Sequence, residues 1–170
     1  MSIQKYVASL RNLRPYRVGG RPRPHKACML LAVMDLVDRE EIREYQIKFD
    51  SKLKEAFSKR FERYRQDDDQ DDPSKPYFYL TSSSFWEVVP NEGFDLELNK
   101  RFESRDWGGA GIVSRLIKYA CLDDGLFELM RDPVSRDILT AEVESTLIGI
   151  EEYFGRWCKS IGKLEKTIFP

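Results

Sequence analysis

The chain has 170 residues, of which 41% are hydrophobic and 34% are charged, and its formal net charge is −1. This length suits one domain with a hydrophobic core, and the composition is typical of a globular protein rather than a disordered or fibrous one. No apolar stretch approaches the roughly 20 residues that cross a bilayer, and the N-terminus lacks the apolar core of a signal peptide. We therefore expect a single cytoplasmic domain over residues 1–170, with 163–170 as a surface tail.

The near-neutral total hides an uneven distribution of charge. Every charged residue in 1–26 is basic: Lys5, Arg11, Arg14, Arg17, Arg21, Arg23 and Lys26. The compensating acid is concentrated at residues 67–72, a run of aspartates interrupted only by Gln70. Because close carboxylates repel one another, we predict a solvated loop there. The basic segment suggests a polyanion bound at one face, and a charged surface without a ligand is the alternative.

The first elements follow from apolar spacing. Helical periodicity predicts an amphipathic helix over residues 2–13, with basic residues on its polar side. Residues 15–23 are then predicted to be a loop, because prolines restrict the backbone there while Gly19 and Gly20 permit turns. Pro24 suits the first turn of a helix, where a missing N–H loses no partner. The next helix, over 24–38, is apolar on nearly every side and should be central.

The start of this central helix should lie at the surface, because His25 and Lys26 are polar. Its free N–H groups and the positive end of its dipole then point outward, with Arg21 and Arg23 nearby. This pattern predicts an anion site that suits a phosphate group. A surface histidine with a neighbouring capping bond is the alternative explanation for His25.

The middle of the chain predicts a small sheet. Residues 44–49 alternate as a short strand or form an extended link into the next helix, and Asp50 or Ser51 can cap a helix that runs to Tyr64. Aromatic and β-branched residues then predict two strands joined by a serine turn and a third short strand. These three strands are expected at residues 76–81, 85–90 and 94–98.

The last third is predicted to be helical. The glycine-rich stretch 107–111 lacks the lysine and hydroxyl residue of a phosphate-binding P-loop, so we interpret it as a connector that opens a helix over 112–121. Asp123 and Asp124 cap a short helix over 125–130. A final helix starts at residues 132–133 and continues towards the C-terminus, with a break near Gly149 or Gly155. The whole pattern predicts an α+β fold, mainly helical with a small antiparallel sheet.

The three cysteines, Cys28, Cys121 and Cys158, lie far apart in apolar patterns, which indicates neither a disulfide framework nor a cysteine-based zinc site.

The residues that could support catalysis do not form a known site. A nuclease of the ββα-metal type needs several histidine or asparagine ligands, and the chain has a single histidine. A PD-(D/E)xK nuclease is not indicated either, because Asp95 and Glu97 followed by Lys100 have the wrong spacing. A hydrolase would need His25 as its base, and no nucleophile lies in a recognisable turn. The sequence therefore predicts binding rather than catalysis, with no metal or cofactor.

Several segments carry a family resemblance, in the same order along the chain. They are residues 3–14, the Pro24-His25-Lys26 start of the leucine-rich helix, Pro76-Tyr77-Phe78-Tyr79-Leu80 with Phe85-Trp86, and residues 119–133. Together they resemble the sulphur-binding domain of McrA-type, type IV restriction endonucleases. Those proteins recognise double-stranded DNA in which sulphur replaces a non-bridging phosphate oxygen, and they usually cut it with an HNH domain that follows.

The resemblance implies which residues bind the modified phosphate. The sulphur pocket would involve His25, Lys26, Lys75, Pro76 and Tyr79. Members of the family often have tyrosine directly before this proline, so Lys75 is a departure. Either it supplies an alkyl stem and a charge instead of a ring, or the pocket is altered. A central helix beginning Ala27-Cys28, where proline-leucine is usual, is a second departure.

The physical case supports this assignment. A phosphorothioate keeps the negative charge of phosphate, but its sulphur is larger and more weakly hydrated than oxygen, so an apolar cup beside cations would favour it. Arg11, Arg14, Arg17, Arg21 and Arg23 are expected to bind flanking DNA phosphates. The alternatives are a recognition domain or subunit of a modification-dependent nuclease, and a generic DNA-binding module without sulphur selectivity.

Overall fold

The computed structural model describes residues 2–13, 17–18, 21–66 and 68–148, with the backbone alone for 17, 18 and 21. The helices are α1 (Ile3–Arg11), α2 (His25–Asp38), α3 (Ser51–Tyr64), α4 (Ser74–Tyr79), α5 (Asp95–Ser104), α6 (Ala110–Leu116), α7 (Asp124–Arg131) and α8 (Pro133–Ser145). The strands are β1 (Arg17–Val18), β2 (Arg21–Pro22), β3 (Gln46–Ile47), β4 (Trp86–Pro90) and β5 (Ile117–Leu122). The predicted α+β fold, mainly helical with a small antiparallel sheet, is confirmed.

Helix α2 is the centre of the molecule, as its sequence predicts. Every residue from 27 to 34 is buried, because the helix packs against α3, α4, α7 and α8. Asp35, half-buried directly after this run, accepts two hydrogen bonds of 2.6 Å from the guanidinium of Arg60 on α3. Arg60 also contacts Glu144 on α8 at 3.1 Å, so one arginine ties three helices together.

The first helix and the caps also follow the sequence. Ser2 caps α1 by accepting from the N–H of Gln4, and Asp50 caps α3 by accepting from the N–H of Leu53. Asp123 and Asp132 cap α7 and α8 in the same way.

The small sheet has β5 in its centre, with β3 on one side and β4 on the other, all antiparallel. Ala120 of β5 lies opposite Ile47 of β3 and Val88 of β4. The predicted strand over 85–90 is therefore confirmed, although β4 pairs with β5 rather than with residues 76–81. Within 44–49, only residues 46 and 47 form a strand.

The prediction of a strand over 76–81 is wrong, because these residues form α4 and a 3-10 turn over Leu80–Ser82. Pro76 fits the first turn of a helix, where the N–H groups have no intrahelical acceptor. The aromatic side chains are accommodated by tertiary contacts instead of a sheet. Tyr77 donates its hydroxyl to the carbonyl of Ile47 at 2.7 Å, and the indole N–H of Trp86 donates to the carbonyl of Tyr77 at 3.0 Å.

The predicted strand over 94–98 is also wrong, since these residues begin α5. Phe94, Leu98 and Phe102 recur every four residues and contact the core, a helical spacing that short alternation concealed. The predicted helix over 112–121 ends early, at Leu116, and the chain continues directly as β5. The apolar positions of residues 117–121 are compatible with a helix or a strand, and pairing with β3 and β4 favours the strand.

The predicted loop over 15–23 contains β1 and β2, which pair in antiparallel fashion with Arg17 opposite Pro22. Gly19 and Gly20 lie outside the described residues. The same holds for Cys158, for the expected helix break near 149 or 155 and for the expected tail over 163–170. Within the described ranges, no helix is both long enough and apolar enough to span a membrane.

Candidate nucleic-acid interface

Two segments about fifty residues apart in the sequence meet at the start of α2. His25 and Lys26 form the first turn of this helix, and α4 packs against its side. The Nζ atom of Lys26 donates to the hydroxyl of Ser82, in the 3-10 turn that follows α4, at 2.9 Å. The structure thus brings the predicted phosphate-binding residues beside the segment that carries Lys75, Pro76 and Tyr79.

His25 is half-buried rather than displayed as a cation. Its ring centroid lies 4.8 Å from that of Phe61, and Nε2 lies 2.9 Å from the carbonyl oxygen of Gln70. Burial lowers the pKa of His25, and the positive charges of Lys75 and Arg23 lower it further. The neutral ring must carry its proton on Nε2, because a carbonyl can only accept. Near neutral pH, His25 therefore contributes a ring and a fixed hydrogen bond rather than a charge.

Three of the residues expected in the sulphur pocket, Lys75, Pro76 and Tyr79, lie along one edge of α4. Positions 75, 76 and 79 share a side of a helix because of its 3.6-residue period, so the helical structure groups them better than a strand would. Pro76 is buried, while Lys75 and Tyr79 are half-buried. Tyr79 donates its hydroxyl to the carbonyl of Arg105 at 2.7 Å. Its ring thus offers apolar surface while its polar atom is already satisfied.

The acidic segment at 68–72 is a loop beside this site, and Asp68, Gln70 and Asp71 are exposed as predicted, but Asp69 is buried against the expectation. The Asp69 side chain is fully buried, and its carboxylate accepts from Arg23 and from the N–H of Gln66. Burial acts to raise the pKa of Asp69, but the hydrogen bonds from Arg23 and Gln66 outweigh it and lower the pKa overall. Asp68 also contacts Arg23, at 2.7 Å. Asp68 and Asp69 can lie side by side because they share the guanidinium of Arg23.

Asp72 has a different partner in the same segment. Its Oδ1 atom accepts from the N–H of Ser74 at 3.0 Å, at the start of α4. This contact links the acidic segment to the helix that carries the expected sulphur-binding residues. The acidic segment is therefore part of the framework of the site.

The arginines expected on DNA phosphates have different environments. Arg11 forms a two-pronged ion pair with Glu142 of α8, at 2.7 and 2.8 Å. Arg23 is held by Asp68 and Asp69, as described above. The backbone of Arg17 and Arg21 lies in the β1–β2 pair that directly precedes α2. Arg14 lies outside the described residues.

Trp107 contacts this edge of α4, although its glycine-rich segment is predicted to be a plain connector. Its indole N–H donates to the hydroxyl of Ser74 at 3.0 Å, and the Nζ atom of Lys75 lies 5.0 Å from its ring centroid. The ring centroids of Trp107 and Tyr79 are 6.0 Å apart. The sequence feature that indicates this contact is a tryptophan beside two glycines in a polar segment, because a large apolar ring in a loop usually packs against another part of the protein.

Among the described residues, no group of three or more histidine, cysteine, aspartate or glutamate side chains is arranged to hold a metal ion.

The fold and the site together define a class of protein: an α+β domain whose main helix begins beside cations and an apolar edge, an arrangement suited to a polarisable anion. A family model described as "ScoMcrA-like, DNA sulfur-binding domain" matches residues 3–132, and the chain belongs to this family. No curated protein is significantly similar in sequence. The chain is similar in fold to a solved structure, "Sulfur binding domain of SprMcrA complexed with phosphorothioated DNA". The TM-score is 0.61 and the identity is 18%, over 88% of each chain.

Proposed function

We propose that this protein binds double-stranded DNA carrying a backbone phosphorothioate and does not cut it. The observation that carries the proposal is the contact between Lys26 and Ser82, which sets the start of α2 beside the apolar edge of α4. Family membership supports the same ligand, since the matched family is defined as a DNA sulphur-binding domain. As the ligand is DNA, we also propose that the protein acts in the cytoplasm.

In this proposal Lys26 binds the charge of the modified phosphate, with the ring of His25 beside it. Pro76 and Tyr79 contact the sulphur. An ordinary phosphate oxygen in the same place would lose its water without gaining a donor, because the Tyr79 hydroxyl is already bonded to Arg105. Burying a few tens of Å² of sulphur surface contributes only about 1 kcal/mol, so the desolvation of the competing oxygen supplies the rest of the selectivity.

Flanking phosphates supply most of the affinity. We propose that Arg17 and Arg21, on the segment just before α2, are their principal partners. Arg14 is proposed as a further one. Arg11 and Arg23 can take part only by exchanging a carboxylate for a phosphate, since each is already ion-paired.

The direct test is a gel shift with three duplexes of one sequence: unmodified, and with each stereoisomer of a single phosphorothioate. Magnesium or manganese is present throughout, so that cleavage would be seen. We expect one stereoisomer to bind more tightly than the unmodified duplex, with no cleavage. Equal affinity for all three would refute the sulphur proposal and favour a generic DNA-binding module.

Two variants locate the site. Lys26→Ala should weaken binding to all duplexes, because the charge of phosphate and phosphorothioate is the same. Pro76→Ala should mainly reduce the preference for sulphur. A Pro76→Ala protein with the wild-type preference would show that the sulphur lies elsewhere.

The second candidate is a recognition domain or subunit of a modification-dependent nuclease. The McrA-type name of the matched family favours it. Cleavage of the phosphorothioate duplex by this chain alone would refute the binding-only proposal, whereas cleavage only after a nuclease subunit is added would support the second candidate.

A further inference from the structure

The edge of α4 can supply only one side of a sulphur pocket, because Lys75, Pro76 and Tyr79 lie on the same face of one short helix. A pocket that excludes water from the sulphur needs a second side. Besides the start of α2, the segment between α5 and α6 lies against this edge, and its large side chain is Trp107.

Trp107 contacts three positions of α4 at once. The indole N–H bonds to Ser74, the ring lies under the ammonium of Lys75, and its centroid is 6.0 Å from that of Tyr79 at a tilt of 56°. Residues 75 and 79 are one helical turn apart, so the indole extends along the edge of α4 on which Pro76 also lies. Trp107 is itself half-buried, which leaves part of its ring accessible.

The hydrogen bonds of the two rings matter as much as their positions. The only polar side-chain atom of Trp107 is bonded to Ser74, and that of Tyr79 is bonded to Arg105. Neither ring keeps a donor for an incoming phosphate oxygen. Both can still contact a polarisable sulphur atom, as aromatic rings do favourably.

We propose that Trp107 is the second wall of the sulphur pocket and a specificity-determining residue of this protein. The inference rests on the proposed function. Trp107 acts on the preference for sulphur over oxygen. The ammonium of Lys75, which lies over the Trp107 ring, increases the affinity for both kinds of phosphate.

The experiment measures the ratio of Kd values for the unmodified and the preferred phosphorothioate duplex. Trp107→Ala should lower this ratio roughly fivefold, the equivalent of about 1 kcal/mol, with less than about a twofold change in Kd for the unmodified duplex. Trp107→Phe should keep the ratio within about twofold of wild type, since it retains an aromatic face without a donor. Lys75→Met removes the charge and keeps an apolar stem of similar length, so it should weaken both duplexes and change the ratio by less than about twofold.

Two further variants control for folding. Leu96→Ala removes a large apolar side chain that is 78% exposed and makes none of these contacts, so it should change nothing. Trp107→Gln replaces the ring with a shorter side chain that carries an amide NH2 donor, so it should lower the ratio by tightening the unmodified duplex. This variant tests the wall even if Trp107→Ala does not fold, and thermal melts of each protein establish which variants are folded.

The outcomes separate this inference from the proposed function. A wild-type protein that binds all duplexes equally refutes both. A wild-type protein with a clear preference, and a folded Trp107→Ala or Trp107→Gln that keeps it, refutes the role of Trp107 alone. Loss of the preference in Trp107→Phe as complete as in Trp107→Ala would likewise contradict the apolar-wall argument.

Discussion

Arg23 offers a sharp test of how this protein uses its basic residues. It lies two residues before His25, and its sequence context suggests a phosphate contact. In the structure its guanidinium is shared between Asp69, whose side chain is fully buried, and Asp68. A cation already held by two carboxylates cannot release a DNA counterion unless it first exchanges them. We therefore expect Arg23 to hold the acidic segment against α2 rather than to bind DNA.

The salt dependence of binding measures this difference. Each phosphate neutralised on B-DNA contributes about 0.9 to the slope of log K against log salt, or about 3.5-fold in affinity between 50 and 200 mM. Lys26→Gln should lower the slope by about 0.9, because we propose that Lys26 binds a phosphate. Arg23→Gln should leave the slope nearly unchanged and instead lower the thermal midpoint, since the buried Asp69 carboxylate loses its guanidinium.

The assay is fluorescence anisotropy with one labelled duplex at several salt concentrations, beside thermal melts of both variants. A decrease in slope for Arg23→Gln as large as that for Lys26→Gln would refute the reasoning. It would mean that DNA displaces the acidic segment and takes Arg23 from it.

Three further predictions concern the framework of the site. Burial lowers the pKa of His25 below its value of about 6.5 in an unfolded chain, so its contribution to stability is present above pH 6.5 and is lost as the pH falls through the lowered pKa. His25→Gln should remove this part of the pH dependence in thermal melts. An unchanged pH profile would contradict the prediction. Tyr77→Phe removes the buried hydrogen bond to Ile47 and should cost about 1 kcal/mol in urea unfolding, with the sulphur preference unaffected. Gly125→Ala would place a Cβ 2.5 Å from the hydroxyl of Tyr6 and disturb the hydrogen bond from Tyr6 to Asp123, so it should destabilise the protein by about 1–3 kcal/mol. The same substitution in a Tyr6→Phe background should destabilise less. An equal loss of stability there would show that the clash is not the cause.

Much of the helical framework could be predicted from local sequence. The apolar run after Pro24 is too continuous for a surface helix, so α2 had to be central, and the aspartates at 50, 123 and 132 cap the helices that follow them. These features depend on residues within one or two turns of one another, where the relevant physics is short-ranged.

The segments predicted wrongly are those in which local preference and tertiary contact disagree. Residues 76–81 have the aromatic composition of a strand, yet they form a helix and a 3-10 turn. In this position the hydrogen bonds from Tyr77 to Ile47 and from Trp86 to Tyr77 hold the helix in the fold. Residues 117–122 continue a helical pattern, yet they become the central strand because β3 and β4 flank them. These partners come from other segments of the chain, so rules based on local sequence cannot identify them.

The candidate site divides in the same way. From the sequence alone came the basic start of α2, the family resemblance and the prediction that residues 75, 76 and 79 lie near His25 and Lys26. Only the tertiary structure decided that the acidic segment neutralises Arg23, that His25 is bonded to Gln70, and that Trp107 lies against α4. Charge and apolarity can be recognised in each residue, but whether a charge is available and what covers an apolar edge depend on side chains that folding brings from distant parts of the chain.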